Sequence, residues 1–320
     1  MSKAKVLVTD PFPEDGVAEL REYFEVDVRP DLAGPENIEA LIEAIPDYDG
    51  LVVRGMTKVK KEVVEAAKNL KVVARLGVSV SNIDSAAAGE KGIEVINSAE
   101  TPEIAGSVSE LVFAGLGALI REIPRADSST KSGKWEKKKF KSVVLNGLLH
   151  GKTFGVIGYG RIGRMVAEKA LAYHMNVLIY DVKSSGKDLP SGCEFVGIDK
   201  LLANSDVISL HIPSVKGPEG TENFLDAEKI LKMKDGAVAV NTSRAAVWDE
   251  EAVVNALKSG KLGGVVVDVF TEEKENSPSV KLYEPVQDKV ILTPHLGSQT
   301  IATQKASSKL LVQRIKEALE

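Results

Sequence analysis

The feature of this sequence that most constrains its fold is the alternation of short apolar runs with amphipathic stretches. The apolar runs are rich in valine, isoleucine and leucine. They are KVLVTD (5–10), GLVVRG (50–55), KVVAR (71–75), TFGVIG (153–158), VLIYD (177–181), DVISLHIP (206–213), AVAVN (237–241), GVVVDVF (264–270) and KVILTP (289–294). Runs that are apolar at nearly every position are typical of strands in parallel sheets covered by helices. The alternation therefore predicts an α/β fold with doubly wound parallel sheets.

The amphipathic stretches predict the covering helices. KKEVVEAAKNL (60–70) and DEEAVVNALKSGK (249–261) have helical periodicity, and the second begins with acids and ends with lysines, as the helix dipole favours. A longer helical pattern extends from about Glu103 to Lys131, and a last one covers residues 298–320.

A chain of 320 residues is longer than one core usually supports. The last helical stretch follows the final strand of the second block, so it is free to pack on the first block. We therefore expect a discontinuous first domain of residues 1–100 and 297–320, and a second domain of residues 101–296.

Composition and charge argue against several classes of function. The net charge is −5 and basic residues are interspersed with acidic ones, so we expect no nucleic-acid partner. No apolar run approaches the roughly 18 residues that cross a bilayer, and the N-terminus lacks the apolar region of a secretory signal. A single cysteine, Cys193, excludes an internal disulfide and a cysteine-built metal site. We expect a cytoplasmic protein without a metal or a membrane partner.

The stretch GVIGYGRIGRMVAEKA places Gly158, Gly160 and Gly163 in the GxGxxG spacing between a predicted strand and a predicted helix. In that context the glycines permit a tight turn and the close approach of a pyrophosphate to the helix N-terminus. The next predicted strand ends at Asp181, whose carboxylate can bind the adenosine ribose and would repel a 2′-phosphate. These residues predict a Rossmann domain that binds NAD rather than NADP. The alternative is a glycine turn without a nucleotide.

Polar residues follow three predicted strands of the second domain. Arg244 follows AVAVN, Glu273 follows GVVVDVF, and His295 follows KVILTP. Open α/β sheets place their ligands at the carboxyl ends of the strands, where these side chains would meet. Arginine offers a charged fork to a carboxylate, and histidine beside a glutamate exchanges a proton near neutrality. The set favours hydride transfer at a 2-oxo or 2-hydroxy acid, although each residue alone is also compatible with a structural role.

Longer motifs follow one another in a distinctive order: VVRGMTKV, ARLGVSVSNID, GKWEKKKF, GKTFGVIGYGRIGR, NTSRAAVWDEEAVVNAL, GGVVVDVFTEE and TPHLGSQT. In these motifs the chain resembles the D-isomer-specific 2-hydroxyacid dehydrogenases. The resemblance implies a Rossmann NAD-binding domain and a flavodoxin-like substrate domain. It also implies that Arg244 binds the substrate carboxylate and carbonyl, that His295 is the acid/base, and that Glu273 orients and charges the histidine.

The same resemblance implies further contacts with NAD. They lie in the glycine loop, after the strands of the Rossmann domain and in a loop of the first domain. They are Arg161 and Ile162 at the pyrophosphate, Ile212 at the adenosine half, Thr242, Asp268 and Ser298 at the nicotinamide end, and Gly297 and Val78 as additional contacts.

We expect the substrate to be a small anion, and three cationic residues are candidates for binding it. Arg54 and Arg75 end strands of the first domain, and Lys137 lies in a lysine-rich loop. In the phosphoglycerate dehydrogenase branch that the chain resembles, matching cations hold the substrate phosphate. This implies oxidation of D-3-phosphoglycerate to 3-phosphohydroxypyruvate in serine synthesis. A solvated or dimer-contact loop is the alternative for the lysines.

Two other functions remain open from the sequence. One is a glyoxylate or hydroxypyruvate reductase on the same frame, and the other is an NAD-sensing scaffold like the family's corepressors. The chain departs from the family's pattern at five positions that bear on this choice: Ser79, Ser81, Ala245, Trp248 and Lys274. The resemblance also implies a homodimer formed through the helix that begins near Glu103. Because the chain stops after the last helical stretch, we expect no C-terminal regulatory domain.

Overall fold

The computed structural model describes residues 3–141, 144–183 and 189–320. Its strands are β1 (Lys5–Val8), β2 (Glu25–Val28), β3 (Gly50–Val53), β4 (Val72–Arg75), β5 (Glu94–Asn97), β6 (Thr153–Ile157), β7 (Asn176–Tyr180), β8 (Cys193–Phe195), β9 (Val207–Leu210), β10 (Ala237–Asn241), β11 (Leu262–Val267) and β12 (Val290–Leu292). Its α-helices are α1 (Glu14–Tyr23), α2 (Ile38–Ala44), α3 (Lys61–Ala66), α4 (Ser85–Glu90), α5 (Pro102–Ile120), α6 (Ile123–Lys131), α7 (Arg161–Ala172), α8 (Ile198–Asn204), α9 (Ala227–Lys232), α10 (Glu250–Ser259), α11 (Pro278–Lys281) and α12 (Ile301–Leu319).

The chain forms two compact units. One contains the residues up to Ile104 together with Ser298–Glu320, and the other is Ala105–Gly297. Among the described residues, the first unit has a five-stranded parallel sheet with the order β2-β1-β3-β4-β5. This is the strand order of flavodoxin-like folds. Helix α12 covers one face of the sheet, where Leu311, Val312 and Ile315 pack with Val6 and Val52.

The second unit has a seven-stranded sheet, counted over the described part of the chain, with the order β12-β11-β10-β9-β6-β7-β8. All its strands run parallel. The order is that of a Rossmann sheet extended by one strand, and the direction of winding reverses between β6 and β9. Ligands of such sheets bind in the crevice beyond this reversal. The predicted fold class, with two doubly wound parallel sheets, is confirmed.

The sequence patterns missed β2, β5 and β8, and all three lie at sheet edges. Their sequences EVDV, EVIN and CEF each contain an acidic residue, and most of their side chains are at least partly exposed. An edge strand has a neighbour on one side only, so it does not need to be apolar at every position. A continuous apolar run therefore identifies the central strands of these sheets and the edge strand β12, but not these three edge strands.

The single helix predicted from Glu103 to Lys131 is wrong, because this segment forms the two helices α5 and α6. Glu122, which precedes α6, has a left-handed φ of 51°, and Pro124 lies in the first turn of α6. Proline lacks an amide hydrogen and fits the first turn of a helix better than its interior. The predicted helix at 60–70 is also shorter, since α3 ends at Ala66.

Helix α5 corrects the expectation that no apolar segment reaches membrane-spanning length. Within the described ranges it is the helix that is long and apolar enough to cross a membrane, with a mean hydropathy of 1.5. However, 56% of it is buried inside the fold. Its residues Val112, Phe113 and Leu116 pack in the core of the second unit with Phe154 of β6. Its apolar character is therefore used for packing within the protein.

The contact between α5 and β11 depends on Gly115. A Cβ atom at Gly115 would lie 2.5 Å from Cγ1 of Val266, closer than two carbon atoms approach without a shift of the chain. Gly117 lies on the same helix, and nothing lies within 4 Å of the place where its Cβ would be. The two glycines therefore form a matched pair for testing this contact.

We expect Gly115→Ala to lower the free energy of unfolding by about 1–3 kcal/mol, because the added methyl group overpacks the helix–sheet contact. Gly117→Ala should leave it unchanged or raise it by up to about 1 kcal/mol, because alanine has the higher helix propensity. Denaturant unfolding of both variants and the wild type measures the difference. Equal stabilities of the two variants would contradict the close approach of α5 and β11.

Candidate active site

The glycine loop between β6 and α7 has no room for a side chain at two of its three glycines. Gly158 has a φ of 93°, in the left-handed region that favours glycine, and its Cβ would lie 2.6 Å from the carbonyl oxygen of His211. A Cβ on Gly163 would lie 2.0 Å from the carbonyl oxygen of Gly158. Gly160 differs, since no atom lies within 4 Å of its Cβ position. The first and third glycines thus close the turn, and the second leaves open space beside it.

The surroundings of this open space fit a dinucleotide. Helix α7 begins at Arg161, and no side chain caps its first turn, which is the arrangement of a phosphate-binding helix. Thr242 follows β10, is buried, and its Oγ1 has no hydrogen-bond partner among the described residues. Ile162 and Ile212 pack partly into the two cores of the unit. These predicted cofactor residues all follow β6, β9 or β10, at the carboxyl ends of the strands.

Asp181 follows β7 and holds the glycine loop. Its Oδ2 accepts a hydrogen bond from the main-chain amide of Tyr159 at 2.6 Å, and its Oδ1 accepts one from the amide of Lys183 at 2.7 Å. A carboxylate at the end of the second strand of a Rossmann sheet is the group that accepts hydrogen bonds from ribose hydroxyls. The position suits the predicted preference for NAD over NADP, which stays a prediction.

The predicted catalytic residues follow three neighbouring strands. In the second sheet β11 lies between β10 and β12, and all three are parallel. Arg244 follows β10, Glu273 follows β11 and His295 follows β12. The Nδ1 atom of His295 lies 2.8 Å and 2.9 Å from the two carboxylate oxygens of Glu273. Donation from Nδ1 to this carboxylate leaves Nε2 for a substrate.

The loop that carries His295 is held by Asp268, which is 1% exposed. Its Oδ1 accepts hydrogen bonds from the hydroxyl of Thr293 at 2.6 Å and the amide of Leu296 at 2.7 Å. Its Oδ2 accepts one from the amide of Gly297 at 2.9 Å, and its carbonyl oxygen accepts one from the amide of His295 at 3.0 Å. The predicted contacts Asp268 and Gly297 therefore also shape the histidine loop.

The charges of the site act on one another. The hydrogen bond with Glu273 raises the pKa of His295, although burial and the charge of Arg244 oppose the increase. Burial acts to raise the pKa of Glu273, but the hydrogen bond and charge of His295 outweigh it and the pKa is lowered. Burial lowers the pKa of Arg244, and the charge of Glu273 opposes this. The arrangement favours a protonated imidazole beside a carboxylate.

The other histidines lack these properties. Burial lowers the pKa of His211 to about 3, so its imidazole stays neutral in ordinary conditions. The rings of His150 and His174 lie 5.3 Å apart. These two residues precede β6 and β7, at the ends of the strands opposite to the glycine loop. Of the four histidines, His295 is therefore the one whose position and pairing with a carboxylate suit proton transfer.

A cavity of 590 Å³ opens beside the pair formed by Glu273 and His295. Phe270, Val280 and Leu292 contribute its apolar wall. Its volume is within the range of pockets that hold small molecules.

In the first unit, the predicted substrate residues Arg54 and Arg75 lie together after β3 and at the end of β4. The Nε of Arg75 donates a hydrogen bond to the carbonyl oxygen of Arg54 at 3.1 Å. The Nη2 of Arg54 lies 3.4 Å from Oε1 of Gln299. Burial lowers the pKa of Arg54, and the charge of Asp10 opposes this. The guanidinium remains charged, but it is partly shielded from water.

The loop that carries Arg54 is held by Asp10, which follows β1 and is 3% exposed. Its Oδ2 accepts hydrogen bonds from the amides of Arg54 at 2.6 Å and Met56 at 3.1 Å, and its Oδ1 accepts one from the amide of Thr57 at 3.1 Å. The Nδ2 of Asn82 donates to the carbonyl oxygens of Arg54 at 2.8 Å and Thr57 at 2.7 Å. Main-chain amides and main-chain carbonyl oxygens of this loop are thus both held by hydrogen bonds.

The remaining predicted contacts are placed as follows. The carbonyl oxygen of Val78 accepts a hydrogen bond from Asn97 at 3.0 Å, and that of Ser298 accepts one from Gln304 at 2.8 Å, both within the first unit. Lys137 is exposed and belongs to the second unit. The structure therefore brings Arg54 and Arg75 together and assigns Lys137 to the other unit.

The sequence analysis missed the roles of Asp10 and Asn82. A signal for Asp10 is present, because the first apolar run ends in TD, as VLIYD ends at Asp181 and GVVVD at Asp268. Each of these aspartates accepts hydrogen bonds from main-chain amides of a loop. Nothing comparable in the sequence marks Asn82.

Comparison with known proteins gives a consistent result. The sequence profile of the family described as "D-isomer specific 2-hydroxyacid dehydrogenase, NAD binding domain" matches residues 113–297. The chain belongs to the D-isomer-specific 2-hydroxyacid dehydrogenases. The predictions of this family and of a Rossmann domain for NAD are confirmed.

Individual relatives carry different names. The chain is 42% identical over 318 residues to a D-3-phosphoglycerate dehydrogenase of Methanocaldococcus jannaschii, covering 98% of this chain and 57% of that protein. It is 40% identical over 318 residues to a hydroxypyruvate reductase of Thermotoga maritima, covering 98% of each. The chain also superposes on a crystal structure of D-lactate dehydrogenase from Aquifex aeolicus complexed with NAD and lactic acid, with a TM-score of 0.81. The two sequences are 27% identical, and the match covers 98% of this chain and 94% of that one. The chain thus spans little more than half of the first relative.

We expect Glu273→Gln to shift the alkaline limb of 2-oxo acid reduction to lower pH, because the hydrogen bond to a charged carboxylate that raises the pKa of His295 is lost. On the predicted role of His295 as proton donor in reduction, activity is present below this pKa and is lost as the pH rises through it. The measurement is kcat/KM against pH with NADH. Glu272→Gln is the control, since Glu272 pairs with Lys274 instead of His295. An unshifted limb in Glu273→Gln would contradict the assignment.

Proposed function

We propose that the chain is an NAD-dependent dehydrogenase of D-2-hydroxy acids, and that its substrate is D-3-phosphoglycerate. The observation that carries the proposal is the hydrogen bond between His295, which follows β12, and Glu273, which follows β11, next to the strand β10 that precedes Arg244. This combination provides a proton carrier, a group that charges it, and a fork for a carboxylate.

The residues divide the reaction between them. Bound NAD would supply the hydride acceptor for substrate C2 during oxidation. In the same direction the neutral His295 removes the hydroxyl proton through Nε2, and the carboxylate of Glu273 stabilises the imidazolium that results. Arg244 binds the substrate carboxylate and polarises the carbonyl oxygen as it forms. In the reverse direction the protonated His295 donates its proton to that oxygen.

The phosphate of the proposed substrate requires cations. Arg54 and Arg75 lie together at strand ends of the first unit, and Arg54 is partly buried. A partly desolvated guanidinium interacts more strongly with a dianion than an exposed one does. Lys137 is the third cation of the proposal. The relative named D-3-phosphoglycerate dehydrogenase supports this choice, and the relative named hydroxypyruvate reductase supports the alternative of a hydroxypyruvate or glyoxylate reductase.

The substrate proposal is tested by kcat/KM with NADH for 3-phosphohydroxypyruvate, hydroxypyruvate and glyoxylate. We expect Arg54→Ala and Lys137→Ala to lose about 10- to 100-fold on the phosphorylated substrate, because a charge-assisted hydrogen bond contributes about 1.5–3 kcal/mol. The other two substrates should change little. Lys138→Ala, beside Lys137 in the same loop, is the matched control.

Three outcomes would contradict the proposal. A preference of the wild type for glyoxylate or hydroxypyruvate would favour the reductase. Equal losses on all three substrates would show that the cations do not read the phosphate. An absence of turnover with every 2-oxo acid, together with NADH binding, would favour an NAD-sensing scaffold.

We also propose that the chain forms a homodimer and that α6, which continues the segment predicted to begin near Glu103, takes part in it. Within the described chain α6 contributes no buried residue, and the side chains of Ile123 and Trp135 are 52% and 86% exposed. A pair of exposed large apolar side chains in and near a helix without buried residues suits a contact surface, whereas single exposed apolar residues are common. Ile123→Lys should shift the mass measured by sedimentation from dimer towards monomer, whereas Leu231→Lys, at another exposed apolar residue, should not. A monomeric wild type would contradict the proposal.

A further inference from the structure

Glu250 connects two of the segments that carry the candidate catalytic residues. It is the first residue of α10 and follows Asp249, whose side chain caps the helix by accepting a hydrogen bond from the amide of Ala252. The chain reaches this point directly from Arg244 through the 3-10 turn Ala245–Val247. Glu250 therefore lies at the end of the segment that begins with Arg244.

The carboxylate of Glu250 faces the segment that carries Glu273. Its Oε2 accepts a hydrogen bond from the hydroxyl of Thr271 at 3.3 Å. Burial raises the pKa of Glu250, and the hydroxyl and main-chain amide of Thr271 partly counteract this. Thr271 is separated from Glu273 by one residue, so a change in the position of Thr271 is transmitted over a short length of chain.

The residue before Thr271 is held by Tyr283. Its ring packs edge-on against Phe270 with the centroids 6.3 Å apart, and its side chain is 1% exposed. Burial, together with the charge of Glu250, raises the pKa of Tyr283. The Oε1 of Glu250 and the hydroxyl of Tyr283 are both buried without a hydrogen-bond partner in the described part of the chain. Phe270 thus contacts an aromatic ring, and the next residue, Thr271, contacts a carboxylate.

We propose that Glu250 is a positioning residue that holds Thr271, and through it Glu273, in the place from which Glu273 charges His295. The inference rests on the proposed function for the role of His295, and it adds a residue that does not contact the substrate. It rests on the hydrogen bond from the Thr271 hydroxyl to the carboxylate of Glu250, because a partly buried carboxylate needs such a donor.

The expected consequence is a change in the titration of His295. The charged groups that act on this imidazole are Glu273, Asp268 and Arg244. Glu250 is not among them, so its removal affects His295 through the geometry of the pair with Glu273. A loosened pair raises the pKa of His295 less than the native pair does.

The experiment compares Glu250→Ala, Glu250→Gln and Thr271→Val with the wild type. NMR titration of the imidazoles is practical because the chain has 4 histidines. We expect Glu250→Ala to lower the pKa of His295 and to reduce kcat about 10-fold, as small misplacements in active sites do, while KM for NADH stays within about 2-fold. Thr271→Val should show the same changes to a smaller degree. Glu250→Gln retains an acceptor for the hydroxyl and should recover part of kcat.

Glu251→Gln is the matched control, because Glu251 is the exposed neighbour on the same helix, and it should match the wild type. The proposal is overturned if the pKa of His295 in folded Glu250→Ala equals that of the wild type, or if kcat falls only in proportion to the loss of folded protein. The titration needs no substrate. A shift of the pKa in a protein that reduces no 2-oxo acid would therefore contradict the proposed function and leave the positioning role intact.

Discussion

Aspartate side chains at the carboxyl ends of buried strands satisfy the main-chain amides of the loops that follow, and both candidate binding regions depend on this interaction. Asp268 and Asp10 are almost inaccessible to water, and each accepts hydrogen bonds from successive amides of one loop. An unsatisfied buried amide costs about 1–3 kcal/mol, and a buried carboxylate without donors costs more. Neither partner is therefore stable in the interior alone. The conformations of the loops that carry His295 and Arg54 follow from this mutual requirement.

Two different carboxylates shape the histidine loop and pair with the histidine. Both oxygens of Asp268 are engaged by the loop, so Glu273 is the acid that contacts the imidazole. His295 has a left-handed φ of 55°, a conformation that is uncommon for residues other than glycine. The loop retains it because the hydrogen bonds to Asp268 fix the residues on both sides. Strain at the histidine and burial of the aspartate are thus two aspects of one structure.

The sequence predicts the parts of the molecule in which a pattern and a physical role coincide. Central strands are apolar throughout because helices cover both faces, and Arg244 and Glu273 follow two such strands. His295 follows β12, an edge strand whose residues are also all apolar. The edge strand β8 has no comparable apolar run, since it pairs with another strand on one side only. The break between α5 and α6 was missed because the apolar periodicity continues to Ile120 and Ile123, whereas the backbone is broken by the left-handed Glu122 and by Pro124. Asn82 was missed because its partners are carbonyl oxygens, which leave no trace in a sequence.

The identity of the substrate therefore depends on residues other than the catalytic candidates. A carboxylate beside a carbonyl is common to 3-phosphohydroxypyruvate, hydroxypyruvate and glyoxylate, so Arg244 and His295 cannot distinguish them. The difference lies in what occupies the far end of the molecule. Arg54 has lost part of its hydration, and its main chain is bound through both its amide and its carbonyl oxygen. A partly desolvated guanidinium gains most from a phosphate dianion, and least from a hydroxyl group or a hydrogen atom at the same position.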